Sequence, residues 1–172
     1  TSIVVYEVLK EKYNLQPDIK WSNDVLVNEK KISGILAETI ETQKGLAVIV
    51  GIGINLNSQN FLSELQVTAT SIEQETNLKP NNEELLFSLT HFFLYFYEIL
   101  QSENGTKKIL DEWKKRSSYV EGKSVRVVLE DKVLYGKTCG LEGNGALKIQ
   151  TENGGIRIIQ AGDVEQIRPN DV

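Results

Sequence analysis

The sequence predicts an α+β fold, a sheet with flanking helices followed by a small all-β unit. Three observations carry this. Residues 46–57, LAVIVGIGINLN, form one long β-branched run beside a polar hairpin pattern at 24–39. Helical periodicity marks 2–13 and 82–102. After Tyr119 the rhythm changes to the short alternating segments SVRVVLE, KVLYGKTCGLE, GALKIQ and IRIIQ, separated by Glu-Asp, Gly-Asn-Gly and Gly-Gly turns.

In chain order, residues 2–13 read as an amphipathic helix with Ser2 or Thr1 as its cap and Val4, Val5, Val8 and Leu9 on its apolar face. Pro17 closes the next loop. Residues 19–21 form a short strand, and 24–27 with 31–39 form a hairpin around Asn28-Glu29-Lys30. The 46–57 run, apolar and β-branched, is expected at the centre of the sheet. Residues 58–68 read as loop and 69–77 as one or two helical turns. Asn82 is expected to cap a helix to about 102, with Glu83 and Glu84 in its first turn, where acids favour the helix dipole. Its aromatic stripe, Phe87, Phe92, Phe93, Phe96 and Tyr97, fits core packing better than a cofactor site. Asn104-Gly105 ends it, and another helix runs over 106–116. The division expected is 1–118 and 119–172, with so little linker that the two parts pack together.

Composition narrows the classes. The chain has 172 residues, 40% hydrophobic and 25% charged, with a net charge of −5. An acidic chain of pI about 5.1 argues against sequence-independent nucleic-acid binding. One cysteine, Cys139, and one histidine, His91, allow neither an internal disulfide nor a Cys/His metal cluster. The run LFSLTHFFLYFYEIL is broken by Ser, Thr and His, so it is not read as a membrane span. A cytosolic location without membrane association is expected. The chain contains no methionine and begins at Thr1 inside a helical pattern. Removal of an initiator methionine and origin as a piece of a longer protein both account for this.

The most informative stretch is Gly51-Ile52-Gly53-Ile54-Asn55. Alternation puts Gly51, Gly53 and Asn55 on one face and Ile52, Ile54 and Leu56 on the other. One face is ready for burial, and the other is bare. Interior strand glycine commonly marks a bulge or tight packing, and otherwise the close approach of a ligand. It is not a dinucleotide fingerprint, since the third glycine and the following helix are missing. Asp24 and Lys31, at opposite ends of the hairpin, can meet. A surface ion pair is the ordinary outcome, while a lysine at the entry to an apolar strand can also present a fixed ammonium to an anion. Lys20 and Lys30 read as solvated, His91 as an ordinary core or surface residue, and Cys139 as a half-buried thiol. No Ser-His-Asp or Cys-His triad can be assembled.

Taken together, Lys20-Trp21-Ser22-Asn23-Asp24, Lys30-Lys31-Ile32-Ser33-Gly34-Ile35-Leu36 and Gly51-Ile52-Gly53-Ile54-Asn55 closely resemble the catalytic motifs of biotin protein ligases. The family pattern is Lys-Trp-Pro-Asn-Asp, Lys-(small or apolar pair)-Gly-Ile-Leu and Gly-x-Gly-Ile-Asn. Each motif is modest alone; their order and spacing together are specific, and the likeness covers nearly the whole chain. Ser22 departs from the family proline. The family's upstream Gly-Arg-Gly-Arg-type loop and Thr/Ser-rich biotin-holding strand do not occur, nor does the winged helix of some members. The chain thus resembles the second half of the catalytic domain plus the C-terminal module, which favours the fragment reading.

The resemblance implies a partial class II aminoacyl-tRNA synthetase-like mixed sheet and an SH3-like barrel. It implies two-step chemistry: biotin and ATP give biotinyl-AMP and pyrophosphate, and biotin then passes to a lysine of a biotin carboxyl carrier protein with release of AMP, with Mg²⁺ on the ATP phosphates. Lys31 would lie between carboxylate and α-phosphate, with Asp24 holding Lys31 or the acceptor amine. Lys20, Trp21, Asn23, Lys31, Gly34, Ile35, Gly51, Gly53 and Asn55 would bind substrate. Gly34 would turn its backbone N–H to the biotin rings, and Asn55 would lie near the nucleotide and its metal. Trp21 would pack on ligand or anchor its strand. Alternatives are a lipoate–protein ligase relative, a biotin-responsive dimerising module and an inactive remnant.

Overall fold

The computed structural model describes residues 1–57, 67–129 and 132–166. Helix α1 (Ser2–Tyr13) leads into β1 (Pro17–Lys20), β2 (Asp24–Val27), β3 (Lys30–Thr42) and β4 (Gly45–Ile54). Then come α2 (Ile72–Thr76), α3 (Asn82–Gln101), α4 (Gly105–Lys114) and strands β5 (Glu121–Val128), β6 (Val133–Leu141), β7 (Leu147–Gln150), β8 (Ile156–Ile159) and β9 (Asp163–Gln166). Most of the expected loop at 58–68 lies outside the described residues.

The first sheet has the order β1-β2-β3-β4, and the second β8-β7-β6-β5-β9. Every strand pairing in both is antiparallel, with one isolated parallel bridge between Lys31 and Ala69. The mixed sheet expected is therefore an antiparallel meander among the described residues. The expected central strand, β4, is an edge strand. Its composition misled because Val50, Ile52, Ile54 and Leu56 pack beneath the sheet, while Leu46, Val48 and Ile49 near its far end are exposed. The second sheet is open among the described residues.

Local chemistry explains the element ends. Asn28 and Glu29 have φ of 50° and 62°, and Val27 pairs with Lys30, so the β2–β3 turn is a two-residue connection. Left-handed backbone at both turn positions matches the right-handed twist of the strands, and asparagine tolerates it. Helix α1 ends on Asn14 in the left-handed region, its N–H donating to the Leu9 carbonyl. Asn81, not Asn82, caps α3: its Oδ1 accepts from the N–H groups of Glu83 and Glu84 at 2.9 and 3.2 Å.

Helix α1 packs against β1, β2, α3 and α4. Val4, Val5, Val8 and Leu9 are buried as expected, and so are Ser2, Ile3 and Glu7 on the other sides. The α3 aromatic stripe departs from the core-packing expectation. Phe96 is buried and Phe92 packs on the core, but Phe87 is 77% exposed, and Phe93 and Tyr97 stack on each other at the surface. His91 is exposed beside Phe92, and Cys139 is a half-buried free thiol.

One hydrophobic cluster crosses the expected boundary at 118, joining Ile3, Val4, Ile19 and Trp21 to Val125, Leu147, Ile149 and Val164. The connecting segment is pinned to β1. The Ile19 N–H donates to the Arg116 carbonyl at 3.0 Å. Ser117 Oγ donates to the Ile19 carbonyl at 2.6 Å, and Ser118 donates to both oxygens of Asp18. Arg116 ties α1 to α4 through ion pairs with the buried Glu7 and with Glu112. Burial pushes the Arg116 guanidinium down, but hydrogen bonds to Glu112 and Glu7 outweigh this and raise it. Hydrogen bonds from Lys115 and Arg116 hold the Glu112 carboxyl below the usual carboxylate range.

Arg116→Ala leaves Glu7 buried without its partner, with an expected destabilisation of about 3 kcal/mol by urea unfolding. Glu112 has its pKa depressed on folding, so its contribution is complete above the unfolded carboxylate pKa. That contribution is lost as pH falls through the lower folded value. Glu112→Gln should therefore reduce the loss of stability on acidification, read from denaturation midpoints between neutral and strongly acidic pH.

Candidate active site

The register gathers the site. Asp24 on β2 pairs with Gly34 on β3, which pairs with Gly53 on β4, and Leu36 pairs with Gly51. Residues directly opposite one another share a face, so Asp24, Gly34, Gly53 and Gly51 lie on one surface. The other surface carries Val25, Ile35, Ile52 and Ile54, and belongs to the core under α1. The glycine surface is open. A Cβ built at Gly51 or Gly53 comes no nearer than 3.7 Å to any neighbour outside its own chain segment.

Over this surface reaches Lys31. Its Nζ stands 2.6 Å from Asp24 Oδ1, with the Asp24 side chain 14% and the Lys31 side chain 49% exposed. The contact is a charge contact without hydrogen-bond alignment, since Oδ1 is otherwise buried and has no hydrogen-bond donor in register with it. The ion pair passes directly above Gly34. A Cβ there would lie 3.1 Å from Lys31 Cε and 3.2 Å from its Nζ. A side chain at position 34 would press on the end of the lysine, which would have to shift by a few tenths of an ångström.

The backbone of Lys31 is fixed on both sides. Its N–H donates to the Thr68 carbonyl at 2.8 Å, and its carbonyl accepts from the Thr70 N–H at 2.9 Å. Asn55 Nδ2 donates to the Lys31 carbonyl at 3.2 Å and to the Thr70 carbonyl at 3.0 Å. Thr70 and Asn28 donate to opposite oxygens of Glu75, which docks α2 on the β2–β3 turn.

The remaining expected residues separate into three groups. Lys20 is not solvated: its side chain is 17% exposed, with Nζ 3.9 Å from Asp24 Oδ2 and 3.6 Å from Asp163 Oδ1. Asn23 donates from Nδ2 to the Ile35 carbonyl at 2.7 Å, and its carbonyl accepts the Ile35 N–H at 2.9 Å, locking the turn before β2 onto β3. The side chains of Trp21 and Ile35 are buried away from the glycine face. Ile35 points into the core. Trp21 is 6% exposed in the junction cluster, where its Nε1 donates to the Gly145 carbonyl at 3.0 Å. The Trp21–Ser22 peptide is cis. Sequence reasoning missed Asp163, whose only signal was its position at the start of a short strand.

Beside the pair runs a groove of about 440 Å³ between the two sheets, lined by Lys20, Asp24, Lys31, Tyr119 and Asp163 among others. Among the described residues no group of three or more His, Cys, Asp or Glu could hold a metal ion.

Residues 2–55 match the Biotin/lipoate A/B protein ligase family, and residues 122–165 match the Biotin protein ligase C terminal domain. The chain is similar to a biotin protein ligase of Aquifex aeolicus with TM-score 0.81 and 30% identity, covering 96% of this chain and 71% of that one. The chain belongs to the biotin protein ligase family. The chain is 33% identical over 168 residues to the bifunctional ligase/repressor BirA of Bacillus subtilis (strain 168), covering 95% of itself and 50% of BirA. It is 31% identical to a biotin–[acetyl-CoA-carboxylase] ligase of Paracoccus denitrificans, covering 85% of itself and 61% of that protein. The chain thus spans about half the length of the BirA proteins it matches.

Gly34→Ala should displace the Lys31 ammonium from Asp24, visible in a crystal structure as a longer Nζ–Oδ1 separation. Gly51→Ala and Gly53→Ala should fold at wild-type melting temperature or slightly above it, because alanine fits and loses less backbone entropy than glycine. A large drop in melting temperature for these two would assign the glycines to packing.

Proposed function

We propose that this chain supplies the ammonium-bearing half of a biotin protein ligase site. In this reading biotin is attached to a carrier-protein lysine through biotinyl-AMP. The observation that carries it is Lys31, fixed by Asp24 at the rim of a side-chain-free shelf. The first step brings the biotin carboxylate to the α-phosphorus of ATP, two anions that repel until fixed positive charge stands between them. Lysine is a compact point charge suited to this task. The shelf of Gly34, Gly51 and Gly53 admits the flat biotin rings against backbone. Asp24 keeps Lys31 from folding away into solvent and can receive the acceptor lysine's proton in the second step, in which the amine displaces AMP.

Magnesium belongs to this reading through the nucleotide. In this reading the ion would keep most of its waters and bind through the ATP phosphates. Asn55, expected near the nucleotide, donates its amide to two carbonyls. Its first role here is to hold Lys31 in place.

We further read 1–118 as the C-terminal portion of the catalytic domain, related to the class II synthetase sheet, and 119–172 as an SH3-like module. The exposed apolar residues of α3 and outer β3–β4 support packing against further parts of a longer ligase. A match to the C-terminal domain model of biotin ligases favours biotin over lipoate. A biotin carboxyl carrier protein is the proposed acceptor, and the cytosol the proposed location. The edge of β4, with exposed Leu46, Val48 and Ile49, supports a second reading as a dimerising module. Sedimentation with and without biotin tests it.

Lys31→Ala should lower biotin-dependent ATP–pyrophosphate exchange by ~10²–10³ with the melting temperature preserved. Exchange at the wild-type rate would remove Lys31 from the chemistry. Gly53→Val should weaken biotin binding in calorimetry while the protein stays folded.

A further inference from the structure

The structure joins four charges in a line across both sheets: Lys31, Asp24, Lys20 and Asp163. Lys31 Nζ meets Asp24 Oδ1 at 2.6 Å, and Lys20 Nζ lies 3.9 Å from Asp24 Oδ2 and 3.6 Å from Asp163 Oδ1. The two inner members are shielded, their side chains 14% and 17% exposed, whereas Lys31 is 49% and Asp163 69% exposed. Charges around the line are otherwise occupied. Glu165 is bound by Arg126, and Lys123 donates to Gln166 and sits over Tyr119. Glu29 lies across the same groove.

If Asp24 answered to Lys31 alone, that pair would be neutral overall and would present a weak field to an incoming anion. Lys20 changes the sum. It compensates Asp24 from the shielded side, so the trio carries one net positive charge, and its outward end is the Lys31 ammonium. Asp163, on β9 of the second sheet, opposes that charge from a wet position where screening weakens it.

We propose that Lys20 is a charge-balancing, positioning residue that keeps the positive charge of Lys31 available to an anionic substrate, and that Asp163 lets the C-terminal sheet temper the strength of that charge. The substrate side of this proposal rests on the ligase reading; the arrangement of charges does not. It gives Lys20 a role behind the site and gives the C-terminal module an electrostatic function besides its packing.

The sign of two substitutions separates this from a simple strut. Lys20→Gln and Asp163→Asn break the same bridge, so a strut predicts effects in the same direction. Charge balance predicts opposite ones. The first measurement is the affinity of inorganic pyrophosphate, by calorimetry at low salt without biotin. Lys20→Gln should raise its dissociation constant about three- to tenfold, because a neighbouring cation is lost, and Asp163→Asn should lower it up to about twofold. The second is biotin affinity by calorimetry at low and high salt. Lys20→Gln should raise the dissociation constant about three- to tenfold and Asp163→Asn should lower it up to about twofold, both effects shrinking with salt. Pyrophosphate affinities that change in the same direction, or in neither variant, overturn the proposal. Asp163 is largely exposed, so its variant folds and keeps the test decisive. A wild-type protein that binds no biotin would defeat the ligase reading, while the pyrophosphate affinities would still decide the charge line.

Discussion

A flexible lysine can act as a fixed charge only when something holds both its backbone and its head. In this chain the head is held by Asp24, and it passes closely over position 34, which carries no Cβ. The backbone is held by Thr68, Thr70 and the amide of Asn55. Both holds rest on register. The pairing of Asp24 with Gly34 and of Gly34 with Gly53 puts carboxylate and glycines on one face, and a shift of one residue would send them to the core side. That register is in turn fixed by the apolar residues opposite, Val25, Ile35, Ile52 and Ile54, which must stay under α1. The core thus sets the site by controlling which residues cannot face it.

The second sheet enters the same argument through β1. Residues 116–118 bind β1 at Asp18 and Ile19, immediately before Lys20. Trp21 then spans to Gly145 on the far side of the junction. The strand that delivers Lys20 to Asp24 is therefore clamped by the connection to the C-terminal module and by that module's own turn. Because one hydrophobic cluster runs through both parts, their relative placement is a matter of core packing.

Local features of the fold were readable in the sequence. The span of α1, the 24–27 strand and the meeting of Asp24 with Lys31 follow from periodicity, turn chemistry and hairpin geometry. The glycine face of β4 follows from alternation alone. What was not readable depends on distant chain. Lys20 looked solvated because neither the fold of β1 beside Asp24 nor the arrival of Asp163 from far along the chain leaves a local signal. Trp21 and Ile35 sit inside motifs that also carry Lys20, Asp24, Lys31 and Gly34, and only the pleat shows that Ile35 faces away. The expected central place of β4 and the expected burial of the α3 aromatics failed for one reason. Apolar composition reports that a surface is suited to burial, and not which part of it the neighbouring elements cover.

That last point bears on how strong the site can be. A half-exposed ammonium acts through water, and two unit charges 4 Å apart interact by only about 1 kcal/mol in bulk solvent, against about 4 kcal/mol at an effective dielectric near 20. Lys31 at 49% exposure lies between these regimes. The glycine shelf does nothing by itself to exclude water; it is flat and open. On the proposed ligase reading, the charge gains its effect when a ligand lies on the shelf and displaces solvent from the gap between carboxylate and phosphate.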